Sequence, residues 1–310
     1  MIKKFFKGQI GFLVSIIVVL SLIVALINPR FLSPNNVTNL FKQISVTGIC
    51  ALASAIVLIG GGFDLSVGTL LSLVACVIAS MVNLGAPEFV AILCGILIGT
   101  VGGALNGLII SKTGCAPVIV TLGSMGVFKG AALLIARGNI INFKNPVSFL
   151  GLSITLGIPT IVIIFAVMVV FVYFILRKTV FGRRVYSIGG NGEAAFLSGV
   201  DIEKSTVFIY ALDGFIVSFA AIALLMRLGS ASAVMGDSYT LDAVASAVIG
   251  GVAITGGKGT VIGCVLGILL LGIISNAMNL LGVTAYLQEI VLGVIVIVAA
   301  SVSMFGVRKN

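Results

Sequence analysis

The chain has 310 residues, 60% of them hydrophobic and 9% charged, with a mean hydropathy of +1.31; a soluble domain carries about 25% charged residues, so a soluble protein is excluded. Its formal charge is +9, from 18 Lys and Arg against 9 Asp and Glu. On a membrane protein that balance reads as basic loops gathered on one side of the bilayer, and not as a nucleic-acid surface. There is no histidine, which excludes a histidine-based triad, histidine metal ligation and a histidine proton relay. The five cysteines (Cys50, Cys76, Cys94, Cys115 and Cys264) lack a disulfide spacing and read as small hydrophobes.

Apolar runs near 20 residues recur along the chain, each long enough to cross a hydrocarbon core of about 30 Å. The short alternation of a barrel is not the pattern. Lys3, Lys4 and Lys7 precede "IGFLVSIIVVLSLIVALIN" as in a signal peptide, but the run is too long for a cleaved segment and has no small-residue cleavage site. It is predicted to be a retained span. Glycine, proline and polar breaks delimit about ten segments: 10–28, 42–60, 66–84, 89–110, 116–136, 158–176, 206–226, 242–256, 260–281 and 286–305. The eighth is short and is expected to be tilted or partly re-entrant. With a cytoplasmic N-terminus, Lys3, Lys4, Lys7, Lys112, Arg177, Lys178, Arg183, Arg184, Lys204, Lys258, Arg308 and Lys309 fall inside, 12 of the 18 basic residues. Both termini are then cytoplasmic, and the whole chain, 1–310, is one membrane domain.

The glycines of "GILIGTVGGALNG" fall at Gly95, Gly99, Gly103 and Gly107, a spacing that lets helices approach closely in lipid. "GGVAITGGKGT", Gly250 to Thr260, looks like a phosphate-binding loop but has Val252 and Gly259 where the pattern requires Gly and Ser or Thr. A tight cytoplasmic turn anchored by Lys258 fits better. The glycosylation-like "NVT" at Asn36 to Thr38 is too short to carry weight.

Charges inside spans carry more information, because each costs about 2.5–3.5 kcal/mol at a helix centre. Asp64 in "GGFDLSVGT" has two compatible readings: with Ser66 it caps a helix starting near Leu65, or it marks a broken helix lining a polar path. Lys129 and Asp213 lie in span interiors and are expected to face the bundle, with pairing between the two as one option. Asp242 begins a span and reads as a first-turn acid. Asn106, Asn276 and Asn279 are either path-lining amides or interhelical glue. No paired acids, nucleophile with base, or metal cluster emerges, so the chain is expected to be no enzyme.

The segment Arg177 to Ser205 holds five basic residues and three acids in an otherwise apolar chain. Within it Asn191 is a good N-cap, Glu193 a first-turn acid and Gly199 a good C′ residue, bounding a helix of about seven residues with Ala194 and Leu197 on one face. So short a helix is marginal in water and needs a surface to dock against. A protein partner that pushes, or anionic lipid beneath a basic helix, would supply one.

"GRRVYSIGGNGEAAFLSGVDI" closely resembles the cytoplasmic loop of permease subunits in the ribose-type family of bacterial ABC sugar importers. "GGFDLSVGT" resembles that family's signature, and "GALNGLIISKTGCAPVIVTLGSMGVFKGAALL", "YTLDAVASAVIGGVAITGGKGTVIGCVLG" and "NAMNLLGVTAYLQEIVLGVIVIVA" are similar to further family blocks in the same order. The resemblance implies an all-α polytopic permease of about ten transmembrane helices, like the type II importers, in the cytoplasmic (inner) membrane. It implies a second permease chain, an ABC ATPase with tandem nucleotide-binding halves, and an extracytoplasmic sugar-binding protein. No cofactor is expected on this chain; ATP and Mg belong to the ATPase. The region 177–205 becomes the coupling loop, with Gly182, Arg183, Gly190, Asn191, Glu193, Ala194, Ala195, Leu197 and Gly199 as the residues engaging the ATPase. The chain departs from the pattern at Thr240, where Glu is usual, and at Gly192 and Phe196, where an acid or Arg is usual.

A sugar carries no net charge, so its path is expected to offer hydroxyl and amide partners beside apolar walls. Asp64, Ser66, Asn106, Thr121, Ser124 and Asn276 are the candidates. The outer loops at 137–159 and 227–240 would meet the binding protein. A stand-alone secondary transporter or channel is the alternative, in which Asp64 and Asp213 would serve a coupling ion; a structural scaffold would need no polar signature at a helix break. The sequence leaves pentoses, hexoses and sugar-like signalling molecules all open.

Overall fold

The computed structural model describes residues 9–143, 154–155 and 158–308. Lys3, Lys4, Lys7 and Lys309 and the middle of the expected outer loop at 137–159 lie outside the described residues. In chain order the α-helices are α1 (Gln9–Ile27), α2 (Pro34–Ile59), α3 (Val67–Asn83), α4 (Glu88–Thr113), α5 (Pro117–Ala136), α6 (Thr160–Lys178), α7 (Val180–Gly190), α8 (Gly192–Leu197), α9 (Ile202–Leu228), α10 (Tyr239–Ile249), α11 (Val261–Leu280) and α12 (Ala285–Arg308). Strands of two residues each, β1 (Ile141–Asn142), β2 (Ile154–Thr155), β3 (Ile158–Pro159) and β4 (Ser230–Ala231), form the antiparallel pairs β1–β4 and β2–β3.

Among the described residues seven helices, α1, α2, α4, α5, α6, α9 and α11, are long and apolar enough to cross a membrane; α3, α10 and Ala285–Val298 of α12 are shorter apolar helices. All ten apolar segments read from the sequence are helical, and the differences lie at the ends. Helix α2 begins at Pro34 and not near 42, because the Ser33 side chain accepts from the Asn36 N–H and Pro34 suits the first turn. Helix α9 begins at Ile202 and not at 206, capped by Asp201 accepting from the Lys204 N–H at 3.0 Å. Helix α10 stops at Ile249 where the sequence suggested 256, ended by Gly250 and by Gly251 at φ +88°. Its 11 residues span about 16 Å, half of a ~30 Å core. The chain ahead of it folds inward: Ala231, Ala233 and Gly236 are buried, and the Gly236 N–H donates to Ser72 Oγ at 2.9 Å.

Two helices form the centre. Helix α2 is buried from Ile44 to Ile59 almost without a break, and α9 is buried along most of its length from Ile209 to Met226. A helix apolar all round is what such a position requires. Helix α3 is buried almost throughout from Val67 to Ala79 and α10 from Ala243 to Val248, while outer helices bury one stripe. On α6 that stripe is Ile161, Phe165, Met168, Val172 and Leu176, at helical spacing, while Val167, Val170 and Phe174 are exposed. Helix α4 packs on α9 backbone to backbone: a Cβ at Gly99 would collide with Ser218, one at Gly103 with the Tyr210 carbonyl, and one at Gly214 with the Gly99 carbonyl. Of the glycines noted in the sequence, Gly99, Gly103 and Gly107 therefore form the contact with α9, while Gly95 faces Ile78 on α3. Helices α7 and α8 sit at one end of this bundle, and the β1–β4 pair at the other.

Candidate functional site

Helix α2 ends in Gly60–Gly61–Gly62. Gly61 sits at φ +80° facing Gly189, and a side chain at Gly62 would crowd the Tyr210 hydroxyl. The chain then crosses the α7 end of the bundle unwound from 60 to 66, and α3 starts at Val67. The unwound backbone finds partners on three helices. The Phe63 carbonyl accepts from Tyr210 Oη on α9 at 3.2 Å and from Thr121 Oγ1 on α5 at 3.4 Å. Asp64 Oδ1 accepts from both the N–H and the Oγ of Ser66, each at 2.6 Å. Asn106 on α4 donates to Ser66 Oγ at 3.0 Å, and Ser124 on α5 donates to Asn106 Oδ1.

Five of the six path candidates, Asp64, Ser66, Asn106, Thr121 and Ser124, are thus gathered around one helix break. The sixth is not. Asn276 on α11 exchanges two hydrogen bonds with Asn36 at the start of α2, at 3.0 and 2.9 Å, toward the opposite end. Asp64 does not cap a helix starting at Leu65. It holds Ser66 in a turn, and the free Gly68 N–H is satisfied by Thr240 Oγ1 from α10 at 3.0 Å.

Asp213 and Tyr210 join this cluster from α9. The Asp213 carboxyl approaches that of Asp64 and is 0% exposed; neither of its oxygens, nor Asp64 Oδ2, has a hydrogen-bond donor among the described residues. The option of a Lys129–Asp213 pair is corrected: Lys129 Nζ bonds Asp237 Oδ2 at 2.6 Å, in the inward-folded loop before α10. Lys129 lies where that loop reaches α5, so the two charges meet and Asp213 is left with Asp64.

A second polar site was not assembled from the sequence. Gln43 and Thr47 on α2, Asp242 on α10 and Ser275 on α11 line a cavity of about 40 Å³, walled by Ile44, Ile268, Leu271, Gly272 and Leu292. Gln43 Nε2 reaches Ser275 Oγ at 3.4 Å. Asp242, read from the sequence as a first-turn acid, does sit in the first turn of α10, but it also faces this cavity. The missing signal was the half-length of α10, which sets Asp242 deep in the bundle.

At the α7–α8 end, Thr179 caps α7, and Gly182 is buried where a side chain would meet the Ile175 and Leu176 carbonyls. Arg183 and Arg184 point out, and Tyr186 Oη donates to the Gly259 carbonyl at 2.9 Å. Burial raises the Tyr186 pKa above its ordinary value, and Arg177 partly offsets this. A Cβ at Gly189 would strike the Ile59 carbonyl, and Gly256 and Gly257, both at positive φ, lie against Gly189 and Gly190. The phosphate-loop lookalike is accordingly a glycine seat for α7, its Gly257 N–H donating to the Ile59 carbonyl at 2.8 Å. Asn191 Oδ1 accepts from the Ala194 N–H at 2.9 Å, starting α8, and Gly199 at φ +82° ends it. The helix has six residues; Ala195 is its buried contact, and Glu193, Ala194 and Leu197 face outward beside Phe196. Leu197 and Phe196 are 79% and 66% exposed.

Several known proteins are similar to the chain over most of its length. A ribose import permease protein of Bacillus subtilis is 40% identical over 284 residues, covering 91% of this chain and 88% of the relative. One of Haemophilus influenzae is 37% identical over 99% of this chain and 97% of the relative. A D-allose transport system permease protein of Escherichia coli is 35% identical over 91% and 89%. No solved structure matches the chain. Residues 36–300 match the family model described as branched-chain amino acid transport system / permease component, a stretch holding the helix break, the Asp242 cavity and the α7–α8 island alike, and the chain belongs to that family of transport permeases.

Proposed function

We propose that the protein is the permease subunit of an ATP-driven ABC importer that carries a monosaccharide or a close analogue across the cytoplasmic membrane. Its ten apolar helices, α1 to α6 and α9 to α12, form the transmembrane bundle, and α10 spans only half the depth. The basic residues around α7 and α8 put that end in the cytosol. A separate ATPase, holding ATP and Mg, docks on α8; an extracytoplasmic binding protein delivers the sugar at the opposite end, and a second permease chain completes the unit. Relatives named for ribose and for allose import support the substrate class.

One observation carries the reading. The polar island is packed backbone to backbone on the bundle through Gly189, Gly256 and Gly257 while its last turn leaves Phe196 and Leu197 uncovered. Exposed apolar residues on a six-residue helix need a partner. A push on α8 passes through α7 to Ile59 and Gly61, and so to the break that carries Asp64, Ser66 and their partners on α4 and α5. That is a short mechanical route from ATP hydrolysis to the core.

The test replaces Glu193 with Lys and Leu197 with Asp. Uptake and permease-stimulated ATP hydrolysis should collapse while membrane insertion persists; normal uptake would refute the assignment. One observation suits the alternative of a secondary transporter: Asp213 lies beside Asp64 with unsatisfied oxygens. Co-purification separates the two, since only the importer needs an ATPase companion.

A further inference from the structure

We propose that the cavity between α2, α10, α11 and α12 is where the translocated sugar touches the permease, with Asp242 accepting from its hydroxyls and Gln43, Thr47 and Ser275 completing the polar contacts. The inference rests on the sugar-importer reading above. It names a site other than the helix break, and three observations carry it.

The first is depth. On α2 the lining residues Ile44 to Thr47 lie between Pro34 and Ile59, about 15–23 Å from either end at 1.5 Å per residue. Asp242 faces the same level because α10 is a half-helix whose preceding loop folds inward. A discontinuous helix with irregular backbone at mid-depth is tolerated where it lines a cavity, and that is where transporters place substrate.

The second is hydrogen-bonding capacity. Around Asp64 the hydroxyls and the amide bond one another in a chain, Asp64 to Ser66 to Asn106 to Ser124, and the acceptors left without a donor, Asp64 Oδ2 and both Asp213 oxygens, are sealed from solvent among the described residues. The Asp242 carboxylate, by contrast, has no side-chain hydrogen bond or ion pair among the described residues, although it faces a cavity. A carboxylate accepts from two neighbouring hydroxyls of a sugar, a hydroxyl or amide at 43, 47 or 275 takes others, and Ile44, Leu271 and Leu292 offer an apolar wall to the ring.

The third is charge. Asp242 is the one charged group among the residues that line the cavity, beside the neutral Gln43, Thr47 and Ser275. The site suits a neutral polyol and repels a sugar phosphate or sugar acid. At about 40 Å³ the cavity has room for two or three waters and not for a sugar ring, so the structure holds the site closed. Opening requires a wall to move, and α12, packed mainly on α10, is the least enclosed.

The experiment uses the full complex of permease, ATPase and binding protein in proteoliposomes, with radiolabelled ribose and allose as probes. Asp242→Asn should cut sugar transported per ATP about 10-fold or more, the loss expected from a charge-assisted hydrogen bond, while the complex still assembles and hydrolyses ATP. Single cysteines at Thr47→Cys and Ser275→Cys, in a chain freed of its native cysteines, should react with a small cationic thiol reagent during ATP turnover. Sugar-loaded binding protein should slow that reaction. If wild-type complex takes up neither sugar while both cysteines react, the sugar assignment fails and the cavity stands as the path. If wild-type complex imports sugar and Asp242→Asn keeps its sugar per ATP, or neither cysteine reacts at any stage, the inference is overturned.

Discussion

Asn106 shows how much a single side chain can organise in a dry interior. It donates to Ser66 and accepts from Ser124, so one amide on α4 joins the unwound chain before α3 to α5. Its loss leaves a buried hydroxyl short of a partner, a penalty of about 1–3 kcal/mol. Asn106→Ala is expected to lower the thermal midpoint of the purified permease by that amount of stability. Ser124→Ala removes the donor of the buried Asn106 Oδ1 and should be destabilising as well. A melt unchanged by Asn106→Ala would mean that Asn106 is not the junction. Asp64, Ser66 and Asn106 could be picked from the sequence because polar groups are expensive among apolar ones. Asp213 was equally visible, but its partner was not: Lys129 and Asp64 were both available to it, and only the helix packing selects Asp64.

Elements show the same division. The helix α8 was legible nearly to the residue, because its Asn191 cap and its Gly199 stop act locally. The half-helix α10 was legible as a short segment, tilted or partly re-entrant, whereas its stop at Ile249 and the inward loop that completes it were not. That loop is held by distant groups: Ser72 on α3, β1, and the ion pair from Lys129 on α5 to Asp237. Within a bilayer each member of such a pair is costly alone. Lys129→Ala or Asp237→Ala should therefore reduce both folded yield and uptake, and the exchange Lys129→Asp with Asp237→Lys should recover a large part of each. Size-exclusion profiles and sugar uptake measure the two, and a double variant no better than the singles would show that the pair does not hold the loop.

At the scale of the molecule, the bundle puts its polar atoms inside and its apolar faces outside, with a basic island seated on one end. The seat is made of glycines: Gly189 on α7 against the Ile59 carbonyl, and Gly256 and Gly257 beside it. Gly189→Val should lift α7 from the bundle, leaving membrane insertion intact while permease-stimulated ATP hydrolysis and sugar uptake fall together. ATPase stimulation at the wild-type level would show that force does not travel through this contact. The sequence by itself determined the membrane class, the ten apolar segments, the polar island and its capped helix, since hydropathy, charge asymmetry and capping are properties of residues near one another in the chain. Only the tertiary structure decided which buried charges meet, that Asn276 stands apart from the other candidates, and that Asp242 opens on a cavity between four helices. Those outcomes depend on helix ends, depths and rotations, which are set by contacts between residues far apart in the chain, such as Gly68 with Thr240, 172 positions apart, and Gln43 with Ser275, 232 positions apart, and no local pattern encodes them.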